Sequence, residues 1–369
     1  MPDSLEGKAD RYHRQTLLPG FGPEGQSRLQ GATVAVLGCG ALGCVVADAL
    51  ARAGVGRLHL VDRDFIELTN LQRQLLYDEG DLAAGLPKAE AARRRLQEIN
   101  STVACEAIVD DINPGSIGQI AQGADLLVDG LDNFDTRYLV NDYAVRNGVP
   151  YVYGGAVGTS GMAYVVLPKS IDGSSAWEIL PGGSRATPCL RCLFPEAPPP
   201  GESATCDTAG VLGPVVGIIG NFQAAEALKI LSGNVDRVSR SLFNLDLWTN
   251  TAMHLSLETA ESAVLCPCCG RRDFEYLEGR AGSTAAVLCG RDAVQLRHRQ
   301  DAAGVDLDAL ERKLRAHGTA SANAFMLRAE LQEGANSYQL TVFPDGRAII
   351  KGTADIAIAR GLYAKFVGH

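Results

Sequence analysis

The stretch Thr33-Val-Ala-Val-Leu-Gly-Cys-Gly-Ala-Leu-Gly43 leaves this chain little freedom in how it can fold. Thr33 to Leu37 is a β-branched, apolar run of the kind that forms a strand buried on both faces. It feeds directly into Gly38-Cys39-Gly40-Ala41-Leu42-Gly43, a G-x-G-x-x-G turn. Cys44 to Ala53 is apolar and Ala-rich and reads as a helix, with Gly54 as its stop. In such a turn Gly38 permits the tight bend, Gly40 lets backbone approach a ligand phosphate, and Gly43 lets helix and strand pack closely. The exposed N–H groups at the helix start then favour an anion. A second strand, Arg57-Leu-His-Leu-Val61, ends in Asp62, nineteen residues after Gly43, where a Rossmann unit puts its ribose-binding carboxylate. Strand, turn, helix, strand and acid together predict a nucleotide site; the alternative is a Gly-rich turn without a ligand.

The pattern continues as alternating strands and helices to about residue 168. Strands are expected at 33–37, 57–61, 105–109, 125–128, 150–153 and 161–167, and helices at 43–53, 87–99, 113–122 and 135–147. Alternation of this kind predicts an α/β fold, a Rossmann-like, doubly wound, mostly parallel sheet covered on both faces. Pro87 suits a first helical turn, Asn100 the far end of that helix, and Asp132 or Asn133 the cap of a helix stopping at Gly148. Residues 1–30 read as an N-terminal helical segment and 31–270 as the main domain. Within it, 169–212 is a long Gly/Pro/Ser-rich excursion, 213–231 an apolar helix, and 241–257 two more strands. Residues 274–369 read as a separate small α+β unit: a helix over 305–317, a hairpin over 338–351 turning at Pro344-Asp-Gly346, and a closing helix over 354–366.

Composition narrows the function. The 369 residues suffice for two or three domains, and 46% hydrophobic with 21% charged residues is an ordinary globular balance. A net charge of −9 argues against a general nucleic-acid or anionic-membrane binder. No apolar run is long enough to span a membrane, and the charged N-terminus does not read as a signal segment. Ten cysteines in such a chain point to a reducing, cytoplasmic compartment and to thiols used for metal or chemistry.

The candidate chemistry clusters after the strands. Asp62-Arg-Asp-Phe-Ile-Glu-Leu-Thr-Asn-Leu-Gln-Arg-Gln74 presents Asp62, Asp64, Asn70, Arg73 and Gln74 just past the ribose position; read blandly it is a solvated loop. Lys88 stands at a helix start against the helix dipole, a placement that hints at holding phosphate; taken by itself it reads more readily as an ordinary surface lysine. Val128-Asp129-Gly130-Leu131-Asp132-Asn133 ends the fourth strand at the carboxyl edge, where open α/β sheets bind ligands, and Asp132 there could hold Mg²⁺ or cap a helix. Cys189-x-x-Cys192 and Cys266-x-x-Cys269 make two knuckles suited to tetrahedral Zn²⁺. The 73 residues between them exceed a zinc ribbon's spacing, so the metal would staple the excursion to the end of the main domain. Cys268 makes the second knuckle ambiguous, and a redox dithiol is the other reading. Cys206 precedes a helix in a loop, the place of an activated thiol, although a buried core cysteine would look the same. Cys39, Cys44 and Cys105 read as core, Cys289 has no reading, and the six histidines form no spaced cluster.

In their order along the chain, Arg11-Tyr-His-Arg-Gln15, the glycine turn, Asp62-x-Asp64, Asn70-Leu-Gln-Arg-Gln74, Lys88, Asp132-Asn133, both C-x-x-C pairs and Cys206-Asp-Thr-Ala-Gly-Val211 resemble the ThiF/MoeB family. The resemblance covers roughly residues 8–270. These are adenylyltransferases of ubiquitin-like sulfur carrier proteins, homodimers that use ATP and Mg²⁺. The resemblance implies that the Gly38–Gly43 turn and Asp62 hold adenosine, that Asn70, Arg73 and Lys88 contact phosphates, and that Asp132 holds Mg²⁺. Arg14 resembles the arginine that a partner subunit contributes, and Cys206 matches a position where relatives bond covalently to the carrier. The substrate implied is a carrier ending in Gly-Gly. No rhodanese-type loop is visible, so sulfur would come from a separate donor such as a cysteine desulfurase. Cys-Gly-Arg-Asp and Phe-Pro-Asp-Gly-Arg in the tail resemble thiazole-pathway members and favour a thiamine-type over a molybdopterin-type carrier. The competing readings are an NAD(P)-dependent oxidoreductase, which the glycine turn and acid alone would suit, and a non-catalytic scaffold for a ubiquitin-like partner.

Overall fold

The computed structural model describes residues 11–169, 186–196, 209–256, 265–281, 287–288, 293–296, 305–333 and 336–367. They fall into two compact units, divided near residue 281. Cys206, Cys289 and most of the 169–212 excursion lie outside the described residues.

In the first unit β1 (Thr33–Leu37), β2 (Arg57–Val61), β3 (Ala104–Ile108), β4 (Leu126–Asp129), β5 (Tyr151–Val157), β6 (Ser160–Val166), β7 (Ser241–Asp246) and β8 (Thr251–Ser256) form one sheet. The order is β3-β2-β1-β4-β5-β6-β7-β8. From β3 to β5 the pairing is parallel, and from β5 to β8 it is antiparallel. The parallel half follows from the alternation in sequence, because each parallel crossover needs a helix. Those helices are Ala41–Ala53, Lys88–Ile99, the short Ile117–Ile120, and Phe134–Asn147. The third is shorter than the expected 113–122, since Asn113 and Ser116 spend their side chains on turn hydrogen bonds with backbone.

Both faces are covered. On one, Leu37, Leu127 and Tyr151 pack with Tyr138 and Val140 of the Phe134–Asn147 helix. On the other, the Gly213–Leu231 helix sets Val215, Val216 and Ile219 against Leu42, Val45 and Ala163. A Cβ at Gly220 would sit 2.7 Å from Val45, so the two helices meet at that glycine. The leading segment docks on the far end of the Ala41–Ala53 helix. Gln15 Nε2 donates to Ala53 O at 3.0 Å, and the Tyr12 ring fills the space where Gly54 lacks a Cβ. Asn100 does not cap its helix in the left-handed form; its backbone is extended, and Nδ2 donates to Tyr12 Oη at 2.9 Å and Ala51 O at 2.7 Å. Among the described residues no helix is long and apolar enough to cross a membrane.

In the second unit β9 (Val287–Leu288), β10 (Ala293–Leu296), β11 (Gly318–Ala322), β12 (Leu327–Glu333), β13 (Asn336–Val342) and β14 (Ala348–Lys351) make an antiparallel sheet ordered β11-β12-β13-β14-β10-β9. The Leu307–Leu314 helix starts on Asp306, whose side chain accepts from Ala309 N at 2.9 Å. It buries Leu307, Leu310 and Leu314, one helical stripe, and the Ile356–Phe366 helix adds Leu362, Tyr363 and Phe366 to the same core. The Pro344-Asp-Gly346 turn joins β13 to β14 and is tied down by Tyr363, whose hydroxyl donates to Gly346 O at 2.7 Å.

One contact in the first unit admits no side chain. A Cβ at Gly43 would stand 1.9 Å from Gly38 O, whereas one at Gly217, on an open helix face, would meet nothing within 4 Å. Gly43→Ala is expected to destabilise the protein by about 1–3 kcal/mol in urea unfolding. Gly217→Ala should be neutral or stabilise by about 0.5–1 kcal/mol through helix propensity. Equal effects would show that the Gly38–Gly43 contact carries no constraint.

Candidate active site

The register aligns the ends of the three central strands. Leu37 lies beside both Val61 and Asp129, so the next residues, Gly38, Asp62 and Gly130, stand side by side at the carboxyl edge. Gly38 has φ +93°, open to glycine and costly for other residues. A Cβ on Gly38 would fall 2.5 Å from Gly130 O, and one on Gly130 would fall 2.3 Å from Gly38 O. The turn after β1 and the loop after β4 therefore interlock backbone to backbone. Gly40 caps the Ala41–Ala53 helix without a side chain, so that helix start presents its first N–H groups outward, as an anion site requires.

Asp62 braces the turn. One carboxylate oxygen accepts from Cys39 N at 2.8 Å and the other from Asp64 N at 2.7 Å. Burial pushes its pKa up, and the nearby Lys88 ammonium opposes that rise. Burial likewise pushes the Cys39 and Cys44 thiols up, so both are inert core thiols; Cys105 is only half-buried. Lys88 opens its helix directly after Pro87, its backbone N donating to Asp64 O at 2.9 Å. Its side chain is only 6% exposed, with Nζ 3.3 Å from Asp64 Oδ2. A surface lysine does not sit like this. The Tyr77 hydroxyl donates to Cys39 O at 2.7 Å and lies 3.1 Å from Lys88 O, fixing the glycine turn and the lysine helix to each other.

The loop between β2 and that helix folds on itself. A 3-10 turn, Leu68–Asn70, is closed reciprocally by Glu67 and by Asn70, whose Oδ1 accepts from Glu67 N at 3.0 Å. Asn70 and Gln74 are buried, and Gln74 Oε1 has no hydrogen-bond partner among the described residues. Arg73 is half-buried and donates from Nη1 to Thr69 O at 2.8 Å. Beyond β4, Asn133 rather than Asp132 caps the Phe134–Asn147 helix, accepting from Thr136 N at 2.9 Å. Its Nδ2 donates to Asp132 Oδ1 at 3.1 Å, and Asp132 itself is exposed. Arg14 is exposed on the four-residue His13–Thr16 helix.

Sequence reasoning missed what lies under the loop after β4. Asp129, fully buried, accepts from Leu131 N at 2.8 Å, Tyr151 Oη at 2.6 Å and Arg137 Nε at 3.1 Å. Arg137 Nη2 donates to Leu131 O at 2.7 Å and Gly154 O at 3.0 Å. Its guanidinium also lies against the Phe134 and Tyr153 rings. Burial pushes Asp129 up, and the Arg137 charge pulls it back. The available signal was an aspartate closing the apolar strand Leu126-Leu-Val-Asp129; nothing local in the sequence marked Tyr77.

The two cysteine knuckles come together. Cys189 Sγ lies 3.9 Å from that of Cys192 and 3.6 Å from that of Cys266, and Cys192 Sγ lies 3.4 Å from that of Cys269. All four sulfurs fall within 4.8 Å of one another. A tetrahedron of metal–sulfur bonds of ~2.3 Å has edges of about 3.8 Å, so four thiolates in this arrangement fit a metal ion. The Cys189 thiol is pulled well below its ordinary value, first by hydrogen bonding from Cys192 and then from Cys266, Cys268 and Cys269. Cys268 is not one of these four mutually close sulfurs; it lies within hydrogen-bonding reach of Cys189 and accepts from Asn141 Nδ2 at 3.2 Å.

Fold and site define a Rossmann-like α/β protein with a glycine turn at the carboxyl edge of its sheet and four clustered cysteines that could hold a metal ion. The chain belongs to the ThiF family, whose model matches residues 12–268. It is 40% identical over 359 residues to the sulfur carrier protein ThiS adenylyltransferase of Bacillus subtilis, covering 97% of this chain and 99% of that protein. It is 41% identical over 261 residues to the sulfur carrier protein adenylyltransferase of Thermus thermophilus, covering 71% of this chain and 90% of that one. Among solved structures, E. coli MccB with ATP aligns at a TM-score of 0.56 and 25% identity, over 71% of this chain and 74% of that one.

The buried pair gives a stability test. Arg137→Met leaves Asp129 charged and alone, and should cost about 3–5 kcal/mol in urea unfolding. Adding Asp129→Asn should recover part of that loss. If the double variant is no more stable than the single one, the pair is not what holds this loop.

Proposed function

We propose that this enzyme adenylylates the C-terminal glycine carboxylate of a ubiquitin-like sulfur carrier protein with ATP, releasing pyrophosphate. The observation that carries this reading is Lys88, a nearly buried ammonium held beside the glycine turn. A hydride-transfer enzyme needs the turn and Asp62 but no such cation. A triphosphate approached by a carboxylate needs several. Two unit charges 4 Å apart interact by roughly 4 kcal/mol at an effective dielectric of about 20. Lys88, Arg73 and an incoming Arg14 would offset that repulsion and stabilise the charge that develops on leaving pyrophosphate. Asn70 and Gln74 would serve the same ligand as neutral donors, through their amide N–H groups. The Gly38, Gly40 and Gly43 backbone and Asp62 would take the adenosine end.

The carrier's carboxylate is already ionised at pH 7, so the step requires no general base. It attacks the α-phosphorus in line; the bond to the bridging oxygen breaks and pyrophosphate departs with that electron pair. Asp132, exposed and supported by Asn133, offers the hard oxygen donor that Mg²⁺ prefers, and the ion would neutralise phosphate charge. The four cysteines, Cys189, Cys192, Cys266 and Cys269, would hold Zn²⁺ as a structural staple. Arg14, exposed on the leading helix, would reach the site of a second copy in a homodimer. Cys206 would make the covalent link to the carrier during sulfur transfer, with sulfur supplied by a separate donor such as a cysteine desulfurase. The chain re-enters the described structure at Ala209 and is pinned to the β5–β6 tip, where Gly158 N donates to Gly210 O at 2.8 Å. That tip extends β5 past its pairing with β4, toward the carboxyl edge. The likeness to a ThiS adenylyltransferase over 97% of this chain, tail included, favours a ThiS-like carrier, the thiamine-type reading. The division into a leading segment (1–30), a catalytic domain (31–270) and a tail unit (274–369) goes with this reading.

Lys88→Ala and Arg73→Ala should each lower carrier-dependent ATP–pyrophosphate exchange by roughly 10²–10³-fold or more, with circular dichroism unchanged. Cys206→Ala should leave exchange intact and block only the later sulfur transfer. Exchange at the parent rate in both cation variants would remove the basis of this proposal, and hydride transfer to NAD(P) would replace it.

A further inference from the structure

The four-cysteine cluster has a problem that its sulfurs do not solve. Its two knuckles are separated by 73 residues of chain, and closing so long a loop costs entropy that short zinc ribbons avoid. A side chain from neither knuckle addresses this. Asn141 lies on the Phe134–Asn147 helix and is completely buried. Its Oδ1 accepts from the backbone N–H of Leu190, inside Cys189-x-x-Cys192, at 2.8 Å. Its Nδ2 donates to Cys268 Sγ, inside Cys266-x-x-Cys269, at 3.2 Å. The next residue, Asp142, accepts from Tyr276 N at 3.1 Å and Leu277 N at 3.4 Å, holding the chain just beyond the second knuckle.

We propose that Asn141 is a positioning residue that pre-assembles the metal site, one amide gripping both knuckles, with Cys268 as its anchor and not a metal ligand. This rests on the reading that the four cysteines bind Zn²⁺. Only a side chain with a donor and an acceptor fits the post: aspartate cannot donate to the sulfur, and leucine can serve neither partner. Groups that orient ligands from behind typically change metal affinity by 10–100-fold. The preformed site also explains why a fifth cysteine stands at the cluster without joining it.

The test is competition for Zn²⁺ between the purified full chain and a colorimetric chelator, with zinc content per chain measured in parallel. Asn141→Leu and Asn141→Asp should still fold in excess zinc, by circular dichroism, but bind it roughly 10–100-fold more weakly than the parent. Cys268→Ala should keep one zinc per chain and lose affinity in the same direction, and it carries the test if the Asn141 variants do not fold. A purely packing role would lower the unfolding midpoint equally with and without zinc and leave affinity unchanged, which overturns the proposal. Loss of the zinc itself in Cys268→Ala also overturns it, because Cys268 would then be a ligand. A parent protein that takes up no zinc instead refutes the zinc reading on which the proposal stands.

Discussion

Three glycine backbones that admit no Cβ between them hold this active edge together. Gly38 touches Gly43 on one side and Gly130 on the other, at distances only bare backbone allows. The first contact presses the helix start onto the end of β1. The second locks the loop after β4 to the Gly38–Gly43 turn. The site is thereby assembled from strands far apart in sequence yet adjacent in the sheet, and its parts cannot drift separately. Tyr77 extends the same logic to the lysine helix, by hydrogen bonds rather than by contact.

Around this frame the protein buries charge that a structural edge would not need. Lys88 is sequestered near the turn with Asp64 against it, and Asp129 with Arg137 beneath the neighbouring loop. Asp129 and Arg137 are satisfied by backbone as well as by each other, which is the condition for burying ions at tolerable cost. The two pairs do different work. Asp129 and Arg137 spend their hydrogen bonds on Leu131 and Gly154, so they shape the loop. Lys88 has its ammonium 3.3 Å from the partly exposed Asp64 carboxylate, an arrangement that a polyanion can compete for.

The fold was legible where its signals were local. β1 and β2 fall on their expected residues because a β-branched run between glycines and polar residues has one good use in a doubly wound sheet. The Gly213–Leu231 helix likewise follows from its own apolar run. The Ile117–Ile120 helix came out short because Asn113 and Ser116 offered the backbone competing hydrogen bonds, a preference that depends on the exact turn. Asn100 looked like a helix cap by type and position, but its amide is used to tie Tyr12 to the end of a distant helix. The candidate ligand residues were picked by type at strand ends, and the structure sets Asp62 and Lys88 beside the glycine turn. Tyr77, Asp129, Arg137 and Asn141 were not, because each has a partner remote in sequence, and only the folded sheet brings donor and acceptor together.

The change from parallel to antiparallel pairing at β5 has a consequence for where the chain returns. A parallel sheet needs a covering helix between every pair of strands, which closes both faces. β5 and β6 need only a tight turn, so β5 runs past the end of β4 and no helix follows at its carboxyl end. There the returning chain at Gly210–Leu212 lies along Gly158 as an isolated parallel bridge, exchanging backbone hydrogen bonds in the manner of an added strand. Backbone pairing at this edge is thus taken up by the chain itself, which fixes where residues 210–212 return beside the end of β5 and hence where the Gly213–Leu231 helix starts.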